Sequence, residues 1–389
     1  MSRLPSGRAA ATKSRPPNTA APGHPSSPRT RAVDSPQACG QPIRRRSRGR
    51  GRLLAVTPPH RPRVLPGLPV LRRRADAVQL GTDARHAVLV EDLTAQMATA
   101  LLGLSGRHTS SELRDQLPAD QVEDWTRLVR ALVGTGLVEE AVPVPHPRLA
   151  AEATTWALRT GRPAPELAAA RAAKSVVVDG DGRLTSAVAG LLAAAGVGSV
   201  RVTTRGRVGP EDVGAGYTED DVGRFRADAA VDVLHRASGA VRTGRGALDL
   251  VVLADAPVPR PELLRGLVLD RTPHLAVRVC EGLGVVGPLV VPGRSSCLRC
   301  ADLHRTDADR DWPVLAAQLV DRPQHGDLAT VTATAGLAAA QVLLALDHET
   351  TARTRPPTWD ATLEVNAFAG LVEHRIAPVH PRCECRSLV

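Results

Sequence analysis

Apolar and polar positions follow a clear period over some stretches of the chain and none over others. The clearest stretch is "SVVVDGDGRLTSAVAGLLAAAGVGSVRVTT", residues 175–204. Val176, Val177 and Val178 are consecutive apolar positions, the pattern of a parallel strand covered on both faces. Gly180-Asp181-Gly182 interrupts the run, and Ser186 to Ala195 is a good apolar helix former. Gly196 and Gly198 stop that helix, and Val200-Arg201-Val202 resumes as a strand. The pattern predicts a βαβ unit of about 30 residues. "LDLVVLAD" (248–255), "TPHLAVRV" (272–279) and "GVVGPLVVPG" (284–293) read as further strands. An apolar helix over 328–346 and a hairpin near "TLEVNAFAGLVEHRIAPV" (362–379) close the series. Strands alternating with helices, then hairpins, predict an α/β domain with a mixed sheet over residues 172–389.

A different pattern fills residues 62–142. "DAVQLG" (76–81) and "HAVLVEDL" (86–93) read as a short hairpin, and Leu93–Leu104 is apolar at helical spacing. "HTSSELRDQL" starts a second helix with Ser110 or Ser111 as its cap. In "ADQVEDWTRLVRALVGTGLVEE", Val122, Trp125, Leu128, Val129 and Leu132 form one apolar stripe closed by Gly134 and Gly136. A third helix ending in "GTGLVEE" and followed by a strand resembles a winged helix, an α+β module that often binds DNA. That third helix carries Asp120, Glu123 and Asp124 beside Arg127 and Arg130, whereas docking driven by phosphate contacts calls for a basic helix. Peptide or protein binding is therefore the better expectation for this module, with a DNA-binding regulator as the alternative. "PVPHPRLA" (143–150) reads as a linker and 151–171 as a connecting helix, so residues 143–171 join the two parts.

Charge changes the picture only at the N-terminus. The net charge of +10 on 389 residues suggests a nucleic-acid partner. Residues 1–55, however, hold 12 of the 50 basic residues and one of the 40 acidic ones, leaving the rest close to neutral. This segment is rich in Pro, Ser, Gly and Arg without periodicity, and is expected to be a disordered basic leader. Its "RRRSRGRGR" (44–52) has no interleaved aromatics for stacking on bases, so nucleic acid is not the expected partner. Translation starting near Val56 is an alternative origin for the segment. Only Lys13 and Lys174 are lysines, the mark of a high-GC bacterial genome. No stretch reads as a secretory signal, and Ser186–Gly198 and Thr332–Leu346 fall short of the ~20 residues of a bilayer span. A cytoplasmic protein without a membrane anchor is expected.

The cysteines carry the sharpest chemical signal. Of six, Cys39 lies in the leader and Cys280 in an apolar strand. The other four form two close pairs, Cys297 and Cys300 in "SSCLRCADLHR" and Cys383 and Cys385 in "HPRCECRSL". Short-spaced pairs in a cytosolic chain point to metal rather than disulfides. Four thiolates meet the tetrahedral preference of Zn²⁺, and filling all four positions leaves none for water, so a structural zinc is expected. Pro292-Gly293 supplies a turn before the first pair, and His304 and His380 are nearby substitutes for a ligand.

Together these features resemble the ThiF family, the adenylating enzymes related to the activators of ubiquitin-like proteins. "VVVDGDGRLTSAVAGLLAAAGVGSVRV" is similar to the family's first strand, glycine loop and following turn. "LVVLADAPVPR" is similar to its strand ending in an Asp, and "PGRSSCLRC" with the terminal cysteine pair to its zinc site. The resemblance implies a Rossmann-like ThiF-type domain that activates a carboxylate with ATP and Mg²⁺, giving an acyl-adenylate and pyrophosphate. It implies that Gly180 and Gly182 bind the cofactor, that Asp255 positions Mg²⁺ and that Arg226 holds phosphate in place of a Lys. Three positions depart from the family: Thr185 replaces the third glycine, Thr204 replaces the ribose-binding Asp, and "VGAGYTEDD" (213–221) lacks the usual Asn and Arg. With the module in front, the layout is similar to cyclodehydratase partner proteins that grip the leader of a precursor peptide. The alternative to an active enzyme is thus a catalytically degenerate scaffold that binds a precursor peptide or a partner enzyme. Homodimerisation is a further expectation. No cysteine lies between Cys300 and the helix near 330, which excludes a thioester-carrying nucleophile there.

Overall fold

The computed structural model describes residues 29–32, 59–142, 147–244, 246–351 and 355–386. Cys39, residues 143–146 of the linker and the rest of the basic segment before Pro59 lie outside these residues.

The first part begins with strands β1 (Arg29–Ala32), β2 (Pro62–Val64), β3 (Val70–Arg74), β4 (Ala77–Leu80) and β5 (Val88–Glu91). Helices α1 (Ala95–Leu102), α2 (Ser110–Asp115) and α3 (Val122–Thr135) follow, then β6 (Val138–Glu140). The expected hairpin is present as the antiparallel pair β4–β5, with Val78 opposite Val90. It sits in a four-stranded sheet of order β1-β5-β4-β3, while β6 returns to pair with β2. The α3 stripe is buried as predicted, with Trp125, Leu128 and Leu132 packing on Val78, Leu80, Val90 and Met97. Gly136 stops α3 in the left-handed conformation at φ 79°. The cap of α2 is Thr109 rather than Ser110 or Ser111. Its hydroxyl accepts from the Glu112 backbone N–H while the Glu112 carboxylate accepts from the Thr109 N–H, a reciprocal arrangement that a serine further along cannot make.

Composition predicts no pairing for the basic segment, yet Arg29–Ala32 aligns antiparallel with Val88–Glu91. Strand addition uses backbone N–H and C=O groups and needs no apolar period, so the hydrophobic pattern gives no sign of it.

The connecting segment is two helices, α4 (Ala150–Thr160) and α5 (Ala164–Ala172). Gly161 at φ 68° and Pro163 break the single helix expected over 151–171. This segment is fixed to the second part: buried Arg171 pairs with Glu152 at 3.0 Å and Asp347 at 3.5 Å and donates to the Ala195 carbonyl.

The second part contains β7 (Ser175–Asp179), α6 (Arg183–Ala194), β8 (Ser199–Thr203), α7 (Arg226–Ala237), β9 (Leu250–Ala254) and α8 (Pro261–Leu269). It continues with β10 (His274–Cys280), β11 (Leu283–Val290), α9 (Leu298–Ala308), α10 (Trp312–Leu319), α11 (Leu328–Thr351), β12 (Ala361–Asn366) and β13 (Leu371–Ile376). The sheet order is β13-β12-β11-β10-β9-β7-β8. β8, β7, β9 and β10 are parallel, and β10 to β13 form an antiparallel meander. The mixed sheet is the one the pattern predicts. Val176 and Val178 enter the core shared with α6 and α11, and Val177 packs on the opposite face with Val251, Leu253 and Leu267 of α8. Three consecutive valines therefore mean a strand covered on both sides.

Gly198 explains the end of the βαβ motif: a Cβ there would lie 1.8 Å from the Ala172 carbonyl oxygen. Residues Leu328–Asp347 of α11, at mean hydropathy 1.7, are long and apolar enough to cross a membrane, but half of that stretch is buried in this protein. α11 packs on α6, β10 and β11, as the core helix of an α/β sheet does.

Candidate nucleotide crevice and metal centre

In an open parallel sheet the binding crevice lies at the carboxyl ends of the strands where the strand order reverses. Here that point is between β7, β8 and β9, and the loop 180–185 leads from β7 into α6. The first turn of α6 offers unpaired backbone N–H groups and the positive end of the helix dipole, a ready site for an anion.

A side chain of this protein takes that place. Asp255, just beyond β9, is 2 % exposed and holds a left-handed backbone at φ 69°. One carboxyl oxygen accepts from Gly182 N at 2.9 Å and from the Thr185 hydroxyl, and the other accepts from Leu184 N at 3.2 Å. The loop glycines are shaped to this carboxyl. A Cβ at Gly182 would sit 2.6 Å from one oxygen, and a Cβ at Gly180 would meet Thr185 Oγ1 at 2.2 Å. Burial pushes the Asp255 pKa up, against the pull of hydrogen bonds from Thr185, Gly182 and Leu184.

Arg226, Arg205 and Arg260 face acidic partners, while Arg183, at the start of α6, donates to the Gly326 carbonyl at 3.1 Å. Arg226 donates to Asp212 Oδ2 through Nε at 3.0 Å and Nη2 at 2.7 Å, and to the Arg205 carbonyl through Nη1 at 3.0 Å. Asp212 is wholly buried, and its second oxygen has no hydrogen-bond partner. Arg205 bridges Asp181 at 2.9 Å and Asp321 at 2.7 Å, and Arg260 reaches both oxygens of Asp179 at 3.1 Å. Thr204 donates to Asp181 at 3.0 Å. The space left among Asp179, Gly180, Asp181, Asp255, Arg260 and Asp321 amounts to about 10 Å³. That is room for about one water, whereas small-molecule pockets run to ~300–1,000 Å³.

Sequence reasoning singled out Gly180, Gly182, Asp255 and Arg226; in the structure Gly182 N donates to Asp255, Gly180 N donates to the Thr203 carbonyl while its Cα side faces Thr185 and Asp255, and Arg226 lies apart on Asp212. That reasoning missed Asp212, Asp179, Arg205, Arg260 and Asp321. Asp179, the last residue of β7, and Arg205, two residues past β8, carried a positional signal, being charged at the carboxyl ends of parallel strands; Asp212, Arg260 and Asp321 carried none.

The second constellation is the four cysteines. Cys297 caps α9 and Cys300 lies in its first turn, so a helix start aims both sulfurs one way. The chain after β13 brings Cys383 and Cys385 to them. The four Sγ atoms lie within 4.8 Å of one another, with separations of 3.7 Å for Cys297–Cys300, 3.7 Å for Cys297–Cys383 and 3.5 Å for Cys300–Cys385. A tetrahedron with metal–sulfur bonds of ~2.3 Å has edges of about 3.8 Å, so the geometry fits one metal ion. Burial holds the Cys385 thiol up at about 12, which a coordinated cation would reverse. His380 is not a ligand: Nε2 lies 2.8 Å from Asp307 and Nδ1 accepts from Arg382 N. His304 Nε2 is engaged with the Pro378 carbonyl.

No protein-family profile matches the chain, and no curated protein matches it in sequence. Solved structures do match in fold. Escherichia coli MccB in its structure with succinimide aligns at TM-score 0.59 and 15 % identity, covering 83 % of this chain and 99 % of MccB. The structure of the Microcin C7 biosynthetic enzyme MccB in complex with N-formylated MccA aligns at 0.59 and 15 %, covering 84 % and 99 %. PaaA aligns at 0.58 and 16 %, covering 80 % of this chain and 98 % of PaaA. MccB has also been solved with ATP. The chain thus shares the fold of MccB and PaaA, and the likeness extends over the first part as well as the second.

Proposed function

We propose that this protein is a ThiF-like scaffold that binds a peptide, with a nucleotide crevice filled by its own side chains. The observation that carries this reading is the Asp255 carboxyl on the first turn of α6. Gly182 N, Leu184 N and Thr185 Oγ1, the donors that an anion would use there, serve Asp255 instead. A phosphate could enter only by displacing that carboxyl. The counter-charges point the same way, since Arg226 is committed to buried Asp212. Adenylation needs cationic groups free to neutralise phosphates, and Mg²⁺ needs carboxylate oxygens open to it. Asp255 and Arg226 hold the protein together in this reading rather than ATP.

Peptide binding is supported by the two-part layout, which this chain has in common with the MccB solved with MccA. Under this reading the first part grips a precursor peptide and the second presents it to a partner enzyme. The four-cysteine centre holds a structural Zn²⁺, which ties residues 383–385 to the start of α9 and leaves no coordination position open.

Calorimetry of the full chain with ATP, with and without Mg²⁺, tests the first half of the proposal. No saturable binding at micromolar ATP and no pyrophosphate exchange are expected. Micromolar ATP affinity with exchange that depends on a peptide carboxylate would restore the adenylyltransferase. Titration with short precursor peptides encoded beside its gene tests the second half, and failure of all of them to bind would sink it.

A further inference from the structure

The seven-stranded sheet of the second part ends differently on its two sides. Beyond β8 the chain covers its own edge: Val200 N donates to the Arg242 carbonyl and Arg242 N to the Gly198 carbonyl. Beyond β13 no described residue pairs. This bare edge carries large apolar side chains, since Leu371, Val372 and Ile376 of β13 and Phe368 in its hairpin turn are all more than half exposed. Edge strands normally carry devices against further pairing, and charge is a common one. β13 has charges at Glu373 and Arg375, and their placement decides whether they repel a partner or select one.

The ladder with β12 fixes which backbone groups are free. Ala377 N donates to the Asp360 carbonyl, one position beyond the pair Ala361↔Ile376. Hydrogen-bonded pairs alternate along an antiparallel ladder, so Leu371, Glu373 and Arg375 bond to β12. Val372, His374 and Ile376 therefore turn their N–H and C=O groups to the open edge. A second copy of β13 can meet them about a two-fold axis at His374. Val372 then faces Ile376, His374 faces His374, and each such pair shares two hydrogen bonds. In that register Glu373 of each copy faces Arg375 of the other, in the close positions between the hydrogen-bonded pairs. The least slide that keeps the hydrogen bonds sets either Glu373 or Arg375 against itself. The sequence Val-Glu-His-Arg-Ile (372–376) is thus its own complement in one register and repels itself in the neighbouring ones. On the opposite face Val372 and Ile376 cover each other, continuing the apolar side of β12 that Leu363 gives to the core.

We infer that the outer edge of β13 is an interface between two copies of this chain, paired antiparallel about His374 into one continuous sheet. Surface and register are set by β13 alone, so the inference stands apart from the peptide-binding reading.

Sedimentation velocity of the full chain tests it at ~50 μM, above the micromolar dissociation constant that a small interface supports. The variants are Glu373→Arg, Arg375→Glu and His374→Pro. Each of the first two places like charges in both cross-strand pairs, and the third removes an outward N–H without touching the bonds to β12. Each alone should keep the wild-type circular dichroism and sediment at half the wild-type mass, its dissociation constant weakened at least about tenfold. Mixing Glu373→Arg with Arg375→Glu restores opposite charges in both pairs and should return the wild-type mass, whereas mixing either with His374→Pro should not. In the wild type, amide exchange at Val372, His374 and Ile376 should slow as protein concentration rises. A monomeric wild type, single variants that keep the wild-type mass, or charge variants that stay apart when mixed would each overturn the inference. Exchange at those three amides that ignores concentration would overturn it without recourse to any variant.

Discussion

Replacing Asp255 by alanine removes the acceptor that three donors share: Gly182 N, Leu184 N and the Thr185 hydroxyl. The site is fully buried, so these donors turn to whatever enters the space. One water fits where a carboxyl was and can accept from two of them, leaving at least one donor unpaired. An unsatisfied buried donor costs ~1–3 kcal/mol, and exchanging a carboxyl acceptor for water weakens the others, so the variant should lose about 2–4 kcal/mol. For a domain of this size that is a drop of roughly 5–15 °C in melting temperature. The vacated helix start should then behave as an anion site. Inorganic phosphate at ten times its dissociation constant would return about 1.4 kcal/mol to the variant by mass action. The assay is a melting scan of wild type and Asp255→Ala against phosphate and against ATP with Mg²⁺. The variant should gain stability from phosphate while the wild type does not respond. If the wild type is stabilised by ATP with Mg²⁺ as strongly as the variant is by phosphate, Asp255 does not block the crevice and the reasoning fails.

Other perturbations probe the remaining contacts. Asp255 has a pKa raised by burial against its hydrogen bonds, so it adds stability that is complete below pH ~4 and lost as pH rises through its folded value. The gap in melting temperature between wild type and Asp255→Asn should therefore narrow as pH rises above about 4 in thermal scans, and a constant gap would contradict the assignment. Arg226→Ala leaves Asp212 buried without its ion pair and should cost about 3–5 kcal/mol in denaturant titrations, whereas a loss under 1 kcal/mol would show the pair to be incidental. Gly198→Ala drives a Cβ into the Ala172 carbonyl, and an unchanged melting curve would show that α5 shifts freely. Elemental analysis should find about one zinc per chain. Cys383→Ser should release that zinc and quicken amide exchange from residue 378 onward, and a metal-free wild type of full stability would end the zinc proposal.

Different kinds of contact left different traces in the sequence. The triple valine at 176–178, the helix expected over 186–195 and found at 183–194, and the closing hairpin β12–β13 could be read because burial imposes a period on side chains, and a period survives in the letters. The cysteine pairs were legible because metal ligation needs particular atoms at short spacing. What escaped were contacts between residues distant in the chain that have no period. Asp212 with Arg226 and Arg260 with Asp179 became visible only when the ends of β7, β8 and β9 were brought together. Thr185 shows the same limit from the other side. In sequence it is a lost glycine; in space its hydroxyl binds Asp255, and the substitution is part of what fills the crevice. The strand at Arg29–Ala32 was missed because pairing of backbone groups leaves no side-chain period, whereas the break at Gly161 was legible in Gly161 and Pro163 and was overlooked.

The cysteine centre also sets an order of events during synthesis. Its two halves are Cys297 with Cys300 and Cys383 with Cys385, and the later pair follows the earlier by 83 residues. At ~5–20 residues per second, the first thiols wait roughly 4–17 s for the second. Within that interval α9, α10, α11 and the β12–β13 hairpin emerge and must find their places on the sheet without help from the metal. Under the zinc proposal an ion would therefore select among chains whose β12 and β13 have already reached the sheet, and a chain in which α11 has docked wrongly would hold the second pair away from the first. Ligation at this centre would then report the docking of the antiparallel meander, and its failure would leave two unprotected thiols at the start of α9.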